Sequence, residues 1–135
     1  MPIMTTVRDI MTKDFISVKT TDQAIKAIEV MTKKDIGSVV VTEDGKPVGI
    51  LTERDIMRRV CPEKLCTRAV KAGEIMSKPL ITIEADAKLG EAALLMTEKD
   101  IRRLLVTEKG KVVGIVTQKD IMRGTLETFM VLASI

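Results

Sequence analysis

Two short segments carry residue types suited to holding a small anionic ligand. Thr52 and Asp55 recur as Thr117 and Asp120, each pair closing a β-like run, Gly49-Ile50-Leu51 or Gly114-Ile115-Val116. A hydroxyl at a helix N-cap with a carboxylate three residues on puts both groups on one face of the first turn. Free backbone N–H groups and the hydroxyl there address a phosphate-like anion. The carboxylate accepts two hydrogen bonds from a vicinal diol, as an acidic residue does from ribose in dinucleotide folds. Thr-x-x-Asp is equally a helix cap that binds nothing. Its recurrence, and the arginine one turn beyond each copy, Arg58 or Arg123, favour a ligand. Gly49 and Gly114, lacking Cβ, would admit a flat group against the strand. Arg102-Arg103 interrupts the apolar lead-in to a buried run where the first copy has Gly37-Ser38. Two guanidiniums there must reach solvent, an acidic neighbour such as Glu98 or Asp100, or an anion, and bidentate geometry suits phosphate.

Composition removes other chemistry. The 135 residues include no His, Trp or Tyr and only two Phe. His-based acid–base catalysis, Ser-His-Asp or Cys-His machinery, His-containing zinc sites and aromatic base-stacking platforms are thereby excluded. Cys61 and Cys66 stand without a second pair to complete a metal shell and read as reduced thiols in a connecting segment, so no metal site is expected. The net charge of +3 is spread over both halves, which makes nucleic acid an unfavoured partner. Met1 to Lys13 carries Arg8, Asp9 and Lys13 without an apolar core, and no run approaches a membrane span, so a soluble cytoplasmic chain is expected.

The elements that must position these residues come in two copies. Shifting the chain by 65 residues aligns it on itself without a gap: between Asp9–Arg58 and Glu74–Arg123, 23 of 50 positions are identical. Phe15–Val18 reads as a short strand. Thr20-Thr21-Asp22 offers N-cap chemistry, with Gln23 closing a capping box. Ala24, Ile25, Ala27, Ile28 and Met31 then recur at helical spacing. Ser38–Thr42 is a continuous β-branched run, as in a strand buried on both faces. Asp44-Gly45 signals a hairpin returning through Pro47–Leu51, and a second helix follows Thr52 through Ile56, Met57 and Val60. The second copy predicts strand 80–83, helix 86–99, a hairpin around Lys109-Gly110 and a helix from Gln118. Each unit is β-α-β-β-α, an α/β (α+β) arrangement of two pseudo-symmetric repeats packed as one domain.

This order, the doubled Gly-hydrophobic-x-Thr-x-x-Asp and the leaders Ile10-Met11-Thr12 and Ile75-Met76-Ser77 resemble a tandem pair of cystathionine-β-synthase (CBS) domains, a Bateman module. The resemblance covers about residues 7–125. It places repeat 1 at 7–60, a connecting segment at 61–71, repeat 2 at 72–125 and an apolar tail at 126–135. It implies non-catalytic, regulatory binding of AMP, ADP, ATP or S-adenosylmethionine in clefts between the copies, and a homodimer. One cleft would use Asp120 and Thr117 on ribose, Ile16 and Ile36-Gly37 on the base, and Lys119 and Arg103 on phosphate. Its mirror would use Asp55 and Thr52 with Ile81, Ile101, Arg102 and Arg54. Ser38 completes the candidate set. The alternative is a ligand-free scaffold on the same fold, binding an effector protein through methionine-rich aliphatic surface and the tail. An enzyme ranks last, since nothing supplies an activated nucleophile.

Overall fold

The computed structural model describes residues 4–78 and 80–134. The chain runs α1 (Val7–Ile10), β1 (Ser17–Lys19), α2 (Ala24–Lys34), β2 (Ser38–Glu43), β3 (Lys46–Thr52), α3 (Glu53–Asp55) continuing as a π-helical turn (Ile56–Val60), α4 (Ala72–Ile75), β4 (Thr82–Glu84), α5 (Leu89–Lys99), β5 (Arg103–Glu108), β6 (Lys111–Thr117) and α6 (Gln118–Ala133). The predicted β-α-β-β-α order holds in both copies, and the architecture is mixed α+β with two three-stranded sheets. In each sheet the first strand pairs parallel to the second across a helix, and the second pairs antiparallel to the third through a hairpin.

The hairpin turns have the expected chemistry. Asp44 and Gly45 have φ of 52° and 78°, and Lys109 and Gly110 of 52° and 77°, the left-handed pair that a two-residue turn between twisted strands demands. Val39, Val40 and Val41 are all buried, as are Leu104, Leu105 and Val106, in keeping with strands covered on both faces. Helices α2 and α5 end on left-handed Asp35 and Asp100, whose N–H groups close the last turn onto Met31 and Met96 carbonyls.

Several boundaries move. The first strands start later than expected, at Ser17 and Thr82, and α5 begins at Leu89 rather than 86. The N-cap of α2 is Gln23, without a side-chain cap bond, instead of the Thr20-Thr21-Asp22 cluster. Asp22 is spent on the preceding turn, accepting the Lys19 N–H at 2.8 Å, while the α2 donors Ala24 and Ile25 bond the Val70 and Thr67 carbonyls at 2.8 Å. Residues 126–133, expected as a tail, are the last turns of α6; Ile135 lies outside the described residues.

The compact units are not the sequence copies. One unit is Phe15–Leu80; the other joins the residues up to Asp14 to those from Ile81 onward. Each leader therefore belongs to the unit of the other copy's strands. In the first unit Ser77 exchanges two backbone hydrogen bonds with Ile50, at 2.8 and 3.1 Å; in the second, Thr12 does so with Ile115, both at 2.9 Å. The leader thus covers the outer edge of β3 or β6. Ile75 and Met76 join one core with Val39, Val41 and Leu51, and Val7 and Ile10 join the other with Leu104, Val106 and Val116.

Two carboxylates tie turns to acid stability. Asp9 accepts the N–H groups of Thr6 and Thr5, both at 3.0 Å, and Asp22 that of Lys19; these bonds hold both carboxyls below the usual range. A carboxyl depressed in the folded state stabilises in full above its unfolded value, and the contribution is lost as pH falls through the folded value. Stability should therefore fall below about pH 4. In Asp9→Asn/Asp22→Asn, urea unfolding at pH 6 and pH 3 should show a lower stability at pH 6 and a smaller acid-induced loss than the parent.

Candidate functional site

The hairpin delivers Thr52 and Thr117 to helix starts because β3 and β6 end where extended backbone turns helical: both threonines are extended, with φ of −119° and −114°. In the first unit the Asp55 N–H donates to Thr52 Oγ1 at 3.2 Å, and Asp55 Oδ2 accepts the Thr52 N–H at 2.9 Å and the Thr52 hydroxyl at 3.1 Å. In the second the Asp120 N–H donates to Thr117 Oγ1 at 3.1 Å and Asp120 Oδ2 accepts the Thr117 N–H at 2.9 Å. Both aspartates are buried, 5% and 9% exposed, among cores otherwise made of aliphatic side chains. Carboxylates this buried are held by hydrogen bonds and paired charge.

Of the remaining sequence candidates, Gly37, Ser38, Arg102 and Arg103 stand beside the helix starts, each within its own unit. Ser38 lies opposite Thr52, and the Gly37 carbonyl accepts the Glu53 N–H at 3.1 Å. Arg103 lies opposite Thr117, and the Arg102 carbonyl accepts the Gln118 N–H at 2.8 Å. Arg54 and Lys119 are the second helical residues. Ile16 and Ile36 pack half-buried on the first core, Ile81 and Ile101 on the second. Ile16, Ile36 and Gly37 share a unit with Asp55, and Ile81, Ile101 and Arg102 share one with Asp120. Fewer backbone donors face outward than the motif suggested: the first helical N–H goes to the strand-leading carbonyl and the third to the threonine hydroxyl.

Two sequence expectations are corrected. Gly49 and Gly114 do not make room for a flat ligand. A Cβ at Gly49 would run into the Met76 thioether and lie 3.0 Å from the Ser77 carbonyl oxygen; one at Gly114 would lie 2.8 Å from the Thr12 carbonyl oxygen and 2.9 Å from Met11 Sδ. The missing Cβ is used by the leader. Nor do Arg58 and Arg123 play matching parts. Arg123 Nη2 donates to Asp120 Oδ1 at 3.1 Å, but the arginine facing Asp55 is Arg59, its Nε 3.7 Å from Oδ1. The π-helical turn, closed by the Cys61 N–H on the Ile56 carbonyl at 3.1 Å, widens the helix by one residue and shifts the next side chain into register.

Sequence reasoning also missed Ser77, whose hydroxyl donates to Asp55 Oδ1 at 2.7 Å. The signal was its place in the Ile75-Met76-Ser77 leader, but only the chain crossing brings it to Asp55. Among the described residues no group of three or more His, Cys, Asp or Glu side chains is placed to share a metal ion, and no helix is long and apolar enough to cross a membrane.

Residues 7–61 and 72–127 each match the family model of the CBS domain. Among solved structures, a protein with CBS domains from Burkholderia ambifaria MC40-6 is 29% identical, with a TM-score of 0.87 over 90% of this chain and 94% of that one. An uncharacterized conserved protein from Pyrococcus horikoshii is 35% identical, with a TM-score of 0.84 over 93% and 95% of the two chains. A curated relative from Thermofilum pendens, an uncharacterized 33.4 kDa protein in a ribosomal RNA operon, is 56% identical over 34 residues, a match spanning 25% of this chain and 11% of that protein. The CBS pair is a regulatory type of module rather than a catalytic one. With both copies matched and the fold shared along nearly the whole chain, this protein belongs to the CBS-domain family and carries two CBS domains in tandem.

Proposed function

We propose that the chain is a cytoplasmic sensor of adenosine-containing ligands, AMP, ADP, ATP or S-adenosylmethionine, and that it works without catalysing a reaction. One observation carries the reading: a buried carboxylate fixed by its own N-cap threonine occurs at equivalent positions in both units, Asp55 at 5% and Asp120 at 9% exposure. A carboxylate so oriented suits the two adjacent hydroxyls of ribose. Arg103 and Lys119 offer positive charge for a phosphate beside Asp120. Arg54 stands correspondingly beside Asp55. The half-buried isoleucines 16, 36, 81 and 101 supply the apolar contact a base requires where aromatic side chains are missing.

A ligand that binds the folded state alone stabilises it by about 2.7 kcal/mol at 100 times its dissociation constant. Thermal melts with millimolar AMP, ATP and S-adenosylmethionine should therefore rise with at least one of them, and Asp120→Ala should reduce or abolish the rise. No shift with any of the three overturns the reading.

A second reading has its own observation. Met122, Leu126, Phe129 and Met130, spaced along one face of α6, are all more than half exposed, as is Met57 at the position equivalent to Met122. Such a row suits a second copy of the chain, as in a homodimer, or an effector protein. Unchanged melts together with a stable complex of defined stoichiometry would favour this scaffold over the sensor.

A further inference from the structure

The two half-sites differ in how much of the carboxylate is already used. Asp55 Oδ2 accepts two hydrogen bonds from Thr52, and Oδ1 accepts the Ser77 hydroxyl at 2.7 Å with Arg59 Nε at 3.7 Å. Arg59 also donates to the Met76 carbonyl at 2.7 Å, so the same guanidinium fastens the leader that carries Ser77. The carboxylate, with about four lone-pair positions, is close to saturated.

The second unit lacks both devices. Position 124, equivalent to Arg59, is a glycine against which Ile10 packs, and a Cβ there would lie 2.8 Å from Ile10 Cγ2. Thr12, equivalent to Ser77, is exposed and, among the described residues, makes no hydrogen bond to Asp120. Asp120 Oδ1 meets Arg123, whose side chain is 62% exposed and swings into solvent at little cost.

We propose, resting on the nucleotide-sensor reading, that Ser77 sets the order in which the half-sites fill. Ligand takes Asp120 first, because its outer oxygen is free once Arg123 moves. Binding at Asp55 must displace the Ser77 hydroxyl from a short bond to a buried anion. Ser77 is thus a positioning residue of the module, acting through Asp55.

The test is isothermal calorimetry on the full chain with AMP and with ATP, for the parent, Ser77→Ala, Arg59→Met and Asp120→Asn. The parent should bind one equivalent per chain tightly and a second more weakly. Asp120→Asn should remove the tight event. Ser77→Ala should tighten the second event by about tenfold, the worth of one hydrogen bond, with the first unchanged. Arg59→Met, which loosens the same leader without touching the hydroxyl, should move the second event in the same direction and serves if Ser77→Ala fails to fold. Two equal sites in the parent, or a second event weakened or unmoved by both variants, overturn the proposal while leaving the sensor reading intact. Absence of binding in the parent and in every variant overturns both.

Discussion

Gly114→Val is expected to lower stability by about 3 kcal/mol, seen as a fall in the urea midpoint, with most of the loss coming from the leader rather than from β6. A Cβ at position 114 would stand 2.8 Å from the Thr12 carbonyl oxygen, and that oxygen cannot rotate away as a side chain would. It is pinned by the reciprocal bonds of Thr12 and Ile115, both at 2.9 Å. Room for valine therefore requires the leader to lift, which breaks that pair and draws Met11 from its packing against the core. Gly49→Val should cost less, because Met76 can choose another rotamer and the nearest backbone atom, the Ser77 carbonyl oxygen, lies farther off at 3.0 Å. Gly110→Ala separates strain from crowding: with φ of 77° and open space around it, it should cost only about 1 kcal/mol.

Leu51→Ala should be as severe. Leu51 is fully buried, lies opposite Val39 in the sheet and belongs to the core that also holds Ile75 and Met76. Removing three methylene-sized groups from a site whose neighbours are held by strands and helix together costs about 3 kcal/mol, through lost transfer energy and the cavity left behind. The melting temperature should fall by roughly 10 °C. Leu94→Ala, at an exposed position of α5, is the control and should change stability by no more than about 0.5 kcal/mol. Equal effects at positions 51 and 94 would contradict the assigned core.

What could be read from the sequence was what local pattern encodes. Asp44-Gly45 and Lys109-Gly110 marked the hairpins because the left-handed pair has few residue solutions. Thr52 with Asp55, and Thr117 with Asp120, announced helix starts because capping is settled within four residues. The misses share one cause, contact between residues distant in sequence. Gln23 caps α2 because carbonyls of the connecting segment, Thr67 and Val70, supply the partners a side chain would otherwise provide. The freedom of Gly49 and Gly114 serves segments more than 25 residues distant in each case, Met76-Ser77 and Met11-Thr12. Arg59 took the place expected of Arg58 because the π-helical turn changed the spacing, and no composition signal marks such a turn.

The exchanged leaders also bear on how the chain can be divided. A protease nick between the repeats would accordingly leave each fragment holding the piece that completes the other unit, so a cut chain behaves as a complementing pair rather than as two independent products.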